Sequence, residues 1–545
     1  MSVELIKALQ DPTRYDHPTE GFQVLETHIS WVILTGSYAY KIKKPVNFGF
    51  LDFSSLDKRK FFCYEELRLN RRLAPDLYID VIPIYGTPSQ PSLSESPHTQ
   101  SSDTEQSQIR HSPIEYALRM TQFDQSGLLD RLEEAKKLTY GHIKTLAKSL
   151  ASFHSRVNAD IPNDYFGTAQ GVFAPVNENF EQIQAKLCQA SLIEELLTLK
   201  HWATMSFQDL QPLIEQRRAL GFVRECHGDL HLGNITLFDQ QIVIFDCIEF
   251  NASLSWIDTI SDLAFLVMDL EKRGQNAYAN QLTNDYLELT GDYQGAALLR
   301  FYKAYRAMVR AKVAVLSLQP DSEELPANNN LELMNQYHQY VAQASHYKTA
   351  PPRYILLMHG FSGSGKSHIS SQLVERLGAI RIRTDVERKR LFDYEASDNT
   401  QSPVDGGIYT HAATQKTYEH VASQASVLLA GGLPVIIDAA NLKQWQRALF
   451  FDLADVQAVP LIIISCCADS HVLKERVIKR AERPKTGQER DASEAKVDTL
   501  EQQQLSADAL STNELRHNVQ IHTDQSDSLD LAIREINNHL AISRR

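Results

Sequence analysis

Apolar residues along the chain follow two successive patterns. Up to about residue 345 strand-like runs come first, namely WVILT (31–35), YAYKIKK (38–44), VIPIYG (81–86) and IEYALRM (114–120). Helical stretches follow, such as HIKTLAKSLASFHSRV (142–157), with apolar positions three and four apart. This order predicts an α+β unit made of a small sheet lobe and then a helical lobe. From residue 354 the runs YILLMHG (354–360), LPVIIDAA (433–440) and VPLIIISCC (459–467) alternate with helical stretches. That alternation predicts an α/β domain with a parallel sheet covered by helices.

Two stretches interrupt the patterns. Residues 87–113, TPSQPSLSESPHTQSSDTEQSQIRHSP, are dominated by Ser, Pro, Gln and Thr and hold almost nothing to bury, so a disordered insertion is expected. The strand-like runs on either side are expected to pair across it as a long hairpin. SHYKTAPPR (345–353) ends a helical region with two prolines. It sets the expected division: a first domain over 1–345, a linker over 346–352 and a second domain over 353–545.

Composition narrows the classes. With 545 residues, 43% hydrophobic and 23% charged, the chain has apolar mass for several cores and is not globally disordered. A net charge of −13 disfavours a broad basic face for nucleic acid, though a local groove stays open. The six cysteines form no C-x-x-C pair, and no run is long enough to span a membrane. The opening residues lack the cationic and apolar regions of a leader. A soluble cytoplasmic protein without a membrane partner is the expectation.

Residues 360–367 read GFSGSGKS, which fits G-x-x-x-x-G-K-[ST] and lies between a strand and a helix. In such a loop Gly360, Gly363, Ser364 and Gly365 let backbone amides wrap phosphate oxygens. Lys366 reaches the β and γ phosphates and Ser367 reaches Mg²⁺. Nineteen residues beyond Lys366 comes Asp385, then Arg388, and Asp438 ends the apolar run PVIID. Asp385 also suits a helix N-cap, and Asp438 also suits a strand-end turn. These features, with VIIDAANLKQWQR (435–447), resemble the P-loop kinases of the polynucleotide kinase, gluconate kinase and zeta-toxin type. The resemblance implies that Asp385 orients or deprotonates the acceptor hydroxyl and that Arg388 holds an acidic group on the acceptor. It also makes the segment with Arg476, Arg480, Arg483 and Arg490 a lid whose arginines clamp the triphosphate. Asp438, at the end of its strand, can hold a Mg²⁺-bound water or the acceptor.

A second constellation occupies residues 226–251, CHGDLHLGNITLFDQQIVIFDCIEFN. His227-Gly228-Asp229 is followed by Asn234 five residues on and by Asp246 twelve beyond that, the protein-kinase spacing of base and two metal ligands. With H-G-D in place of H-R-D, it resembles the aminoglycoside and choline phosphotransferase family. That resemblance implies Asp229 as base, Asn234 and Asp246 as Mg²⁺ ligands, Lys41 as the phosphate-binding lysine and Glu65 or Glu66 as its partner. Lys43 is a rival on the same strand face, and residues 120–123 would form the hinge for adenine. No G-x-G-x-x-G loop precedes Lys41. Residues 20–320 and 353–500, most of the chain, together resemble bacterial fusions of the two families, which implies an α+β bilobal protein-kinase-like domain followed by an α/β P-loop NTPase domain. The implied activity is transfer of the γ-phosphate of ATP, with Mg²⁺, to small-molecule hydroxyl acceptors at two sites. A nucleotide-sensing scaffold is one alternative. A nucleic-acid 5′-hydroxyl kinase using a groove of Arg388, Lys389 and Arg390 is the other, and it is not favoured.

Overall fold

The computed structural model describes residues 3–49, 51–94, 112–318, 327–402, 406–482, 493–525 and 528–542. They form two compact units, one of residues 1–181 with 207–269 and the other of residues 182–206 with 270–545.

In the first unit six strands, β1 (Gln23–Glu26), β2 (Ser30–Leu34), β3 (Tyr38–Lys43), β4 (Tyr78–Thr87), β5 (Gln90–Ser92) and β6 (Glu115–Thr121), make one sheet. Their order is β1-β2-β3-β6-β4-β5, with every pair antiparallel. β4 and β6 pair from Ile84↔Glu115 to Val81↔Leu118, so the strands flanking the Ser/Pro-rich stretch do meet as the sequence predicts. Period-2 alternation gives the sheet two covered faces. Tyr40, Ile42 and Ala117 pack with Leu5, Ile6 and Leu9 on one side, while Tyr116 and Leu118 pack with Cys63 and Leu67 on the other.

The expected disordered insertion begins too early in the sequence reading. Residues 90–92 are β5, Pro91 is buried, and Leu93 packs against the first of those clusters. Residues 95–111 lie outside the described residues.

The rest of the first unit places the H-G-D constellation. β7 (Val223–Glu225) pairs with β10 (Trp256–Asp258), and β8 (Ile235–Phe238) pairs with β9 (Gln241–Ile244) through a tight turn at Asp239 and Gln240. The helix Tyr140–Arg156 starts in a capping box at Thr139 and buries Ile143, Leu146, Leu150 and His154, as its periodicity predicts.

The second unit contains β11 (Ile355–His359), β12 (Ile380–Arg383), β13 (Val435–Asp438), β14 (Leu461–Cys467) and β15 (Asn518–His522). All pairs are parallel, in the order β12-β13-β11-β14-β15. Near-continuous apolar runs are what a parallel sheet buried on both faces requires. Leu356, Met358, Ile436, Ile462 and Ile464 join Ile369, Leu373, Val519 and Ile536 in one core. β15, NVQIH, did not stand out in the sequence because only Val519 and Ile521 in it are buried. The division into units does not fall at the expected 346–352 linker, since the helices Asn276–Thr290, Leu299–Leu316 and Ala327–His346 belong to this second unit. Among the described residues no helix is long and apolar enough to cross a membrane.

Candidate active sites

The first site is wired through the helix Leu56–Asn70. It starts at Ser55, whose side chain accepts from the Lys58 amide, and Arg59, Cys63, Glu66 and Asn70 are buried along one face at helical spacing. That phase turns Glu66 to the sheet and Glu65 outward. On β3 the same alternation that sends Tyr40 and Ile42 to one face sends Lys41 and Lys43 to the other. Lys41 Nζ lies 2.7 Å from Glu66 Oε1 and 2.7 Å from Asp246 Oδ1. Lys43 Nζ lies 2.6 Å from Glu66 Oε2 and also bonds Glu249. The partner of Lys41 is therefore Glu66, and Glu65 instead pairs with Arg68 at the surface. Burial disfavours the Lys41 ammonium, but the Asp246 and Glu66 carboxylates outweigh it and hold its pKa well above the ordinary value.

Asp229, Asn234 and Asp246 are brought close by the loop before β8 and the turn after β9. Asn234 Nδ2 donates to the Asp229 carbonyl at 3.0 Å and to Asp229 Oδ2 at 3.3 Å. His227 ties the two segments, because its Nε2 donates to the Phe245 carbonyl at 2.7 Å while its Nδ1 accepts the Asp229 amide at 3.3 Å. Asp246 takes a left-handed backbone, φ +64°, just beyond Phe245. Gly228 explains why H-G-D stands where protein kinases have H-R-D. Its φ is +89°, and a Cβ there would lie 2.7 Å from the Leu254 carbonyl oxygen.

Sequence reasoning missed the residue that holds this loop. Asp262 is buried and accepts the amides of His227 at 3.0 Å and Gly228 at 2.9 Å, as well as His154 Nε2 at 3.1 Å. A carboxylate in the apolar helix TISDLAFLVM, followed by Asp269 on the same face, was the available signal. Asp269 accepts the Leu232 amide at 3.0 Å. His154, Cys226 and Asp262 have ligand atoms close enough to hold a metal, but these Asp262 bonds are those of a loop anchor.

The second site follows β11. Gly360 and Gly363 have φ of +144° and +82°, and Cβ atoms there would lie 2.5 Å from the Cys466 and 2.7 Å from the Leu473 carbonyl oxygens. Lys366 Nζ donates to the Gly360 and Phe361 carbonyls at 2.9 and 2.8 Å. Burial lowers its pKa, with Asp438 opposing the shift. Gly365 caps the following helix, Ser367 is exposed at its first turn, and Ser364 Oγ is buried without a hydrogen-bond partner among the described residues. Asp438 Oδ2 accepts from Ser370 Oγ at 2.9 Å.

Asp385 lies in the first turn of the helix Thr384–Leu391, whose N-cap is Arg383, so Asp385 is not the cap. Its carboxylate makes no hydrogen bond among the described residues, and Lys366 lies within electrostatic reach. Arg388 is 5% exposed and Lys389 0%, so they do not line a solvent-facing basic groove. Arg388 Nη1 donates to the Ile408 carbonyl at 2.8 Å and Thr414 Oγ1 at 3.2 Å, its guanidinium lies 5.0 Å from the Tyr409 ring centre, and its Nε has no hydrogen-bond partner among the described residues. Arg476 bonds the Gly363 carbonyl of the phosphate loop and both the hydroxyl and carbonyl of Thr523. Arg480 donates to the Ala495 carbonyl at 2.9 Å and lies within electrostatic reach of Lys366. Arg483 and Arg490 lie outside the described residues.

Residues 102–299 match the model of the phosphotransferase enzyme family, and residues 355–510 match that of an AAA domain. The chain joins a phosphotransferase-family domain to a P-loop kinase domain. This fusion is an ATP-dependent phosphotransferase. Uncharacterized proteins of Mycobacterium tuberculosis and Mycobacterium bovis are 29% identical to it over 474 residues, covering 86% of this chain and 89% of theirs. A choline kinase from Cryptosporidium parvum aligns with 63% of this chain and 95% of its own at 11% identity, with a TM-score of 0.37. A gluconokinase from Sinorhizobium meliloti aligns with 35% of this chain and 92% of its own at 18% identity, with a TM-score of 0.23.

Proposed function

We propose that the protein carries two ATP-Mg²⁺ sites, each transferring the γ-phosphate to a hydroxyl group of a small molecule. The observation that supports the reading is the Lys41 ammonium held 2.7 Å from both Glu66 and Asp246, a cation suited to a phosphate beside a carboxylate suited to a metal. In the first site Asp229 accepts the hydroxyl proton, with its carboxylate placed by Asn234. Asn234 Oδ1 and Asp246 offer the hard oxygen donors that Mg²⁺ prefers, and the Asn234 amide nitrogen is turned to Asp229. A bound Mg²⁺ would supply charge neutralisation of the phosphate.

In the second site the glycine-lined loop and Lys366 hold the triphosphate, Ser367 and Asp438 serve the metal, and Asp385 is the base. The acceptor at this site carries an anionic group. Arg388 is buried with only neutral oxygens as partners among the described residues, and a buried guanidinium is costly unless it meets an anion. A carboxylate, phosphate or sulfate on the acceptor satisfies it.

The test is to incubate the protein with γ-labelled ATP and a metabolite extract and to isolate labelled products. Two products are expected, one lost in Asp229→Asn and the other in Asp385→Asn. Tight nucleotide binding with no labelled product from either site would replace this reading with a nucleotide sensor.

A further inference from the structure

β12 is an edge strand, and an edge strand carries amides that its one neighbour cannot take. The Ile380 amide bonds the Pro434 carbonyl at 2.9 Å, on the side of β13. The next amide, of Arg381, instead donates to Asn284 Oδ1 at 2.8 Å, and Asn284 is fully buried. Asn284 belongs to the helix Asn276–Thr290, about seventy residues before the P-loop strand, in a stretch that the phosphotransferase-family match still covers.

The same stretch continues along the strand and onto the next helix. Glu288 Oε2 lies 3.4 Å from Arg381 Nη2 and its Oε1 lies 3.3 Å from Arg383 Nη1, while its carbonyl accepts from Arg390. Tyr293 OH donates to Glu387 Oε1 at 3.1 Å, with both residues 1% exposed. Glu387 also accepts from Arg390 and from His420 Nε2 at 3.2 Å. Glu387 lies on the helix Thr384–Leu391, two residues after Asp385 and one before Arg388. A helix of eight residues has little stability of its own and depends on such outside contacts for its orientation.

We propose that Tyr293, acting through Glu387, is a positioning residue for the second site, and that residues 276–298 complete that site. The inference rests on the reading of Asp385 and Arg388 as base and anion holder. A P-loop kinase that began at β11 would have its phosphate loop but not the contacts that aim its acceptor helix. The overlap also gives a reason for one chain, because the family match of the first domain and the acceptor side of the second share these residues.

The experiment uses the full chain carrying Asp229→Asn, with and without Tyr293→Phe, a change that removes one hydroxyl and leaves the ring. Amide hydrogen exchange is followed over 360–367 and 384–391, affinity is measured with a fluorescent ATP analogue, and Lys366-dependent transfer of label from γ-labelled ATP to an acceptor in a metabolite extract gives turnover. The expected result is exchange about tenfold faster at 384–391 only, unchanged analogue affinity, and kcat about tenfold lower at constant KM for ATP. Unchanged exchange at 384–391, equal acceleration in both segments, or faster exchange at 384–391 with unchanged kcat overturns the proposal. If the parent chain has no Lys366-dependent turnover at all, the reading of the second site as a kinase fails. The exchange comparison then still decides whether Tyr293 orders the helix.

Discussion

Lys43 Nζ stands 2.6 Å from Glu66 Oε2, so the carboxylate that answers Lys41 is shared by a second buried lysine. Each oxygen of Glu66 has its own ammonium, at 2.7 and 2.6 Å, and the side chain has no freedom to turn away when a phosphate approaches Lys41.

Removing that carboxylate leaves two ammonium groups buried with less compensation. Glu66→Ala is expected to cost about 3–5 kcal/mol of stability. Glu65→Ala, which breaks an exposed pair with Arg68, should cost no more than about 1 kcal/mol. Chemical denaturation of the two variants checks this, and equal losses would contradict the assignment of Glu66.

Acid should weaken the first unit through two buried carboxylates. Burial alone would raise the pKa of Asp262, but the bonds and charges of His154 and His227 bring it to about 2. Burial likewise opposes ionisation of Glu66, and Lys41 and Lys43 bring it to about 2. Both values lie below the ordinary 3.8 and 4.5, so each group contributes stability that is whole above about pH 4.5 and lost as the pH falls toward 2. The size is roughly 2 kcal/mol for Asp262 and roughly 3 kcal/mol for Glu66. Unfolding free energies measured down this range should fall, and Asp262→Asn and Glu66→Gln should each flatten the fall. An unaltered acid slope in both variants would refute the linkage.

Nucleotide stoichiometry gives a direct count of the sites. Titration calorimetry with a non-hydrolysable ATP analogue and Mg²⁺ is expected to give two equivalents per chain, and one after Lys366→Ala. A stoichiometry of one for the unaltered chain rules out the two-site reading.

Base removal should separate chemistry from binding. Asp229→Asn and Asp385→Asn each keep the size of the side chain, and each is expected to lower transfer at its own site by about 10²-fold or more with ATP affinity retained. Only the double variant should lose all transfer. Complete loss in either single variant would mean that the two sites work as one.

β5 gives a separate stability test. Deleting residues 88–94 removes its pairing with β4, the buried Pro91 and the Leu93 contact. The melting temperature is expected to fall by several degrees. An unchanged melting temperature would show that this hairpin contributes nothing.

What the sequence made legible was whatever is local in the chain. The GFSGSGKS loop, the H-G-D, Asn234 and Asp246 spacing, and the strand runs around them can each be read within a window of some twenty-five residues, and the strands and helices around them form where the pattern puts them. The choice between Glu65 and Glu66 depended on helix phase, and the stripe of Arg59, Cys63 and Asn70 would have decided it. Asp262 was lost because a carboxylate inside an apolar helix reads as an interruption until its two amide partners are known. Lys389 was read as surface charge. It is buried because the carbonyls of Ala396 and Asp398 curl back to its ammonium at 3.0 and 2.7 Å, a loop closure with no signature in the residue types. The expected linker followed the prolines, whereas contact follows residues such as Asn284 and Tyr293 that look like ordinary helix and turn positions.

The Asn284 bond to β12 also bears on how the protein is cut for study. An unprotected sheet edge is a template on which a second copy can add a strand, and this one bounds a sheet with a buried apolar core. A fragment starting at residue 353 presents that edge bare. Its characteristic failure is then self-association through β12 as much as loss of activity, and a start near residue 270 keeps the guard in place.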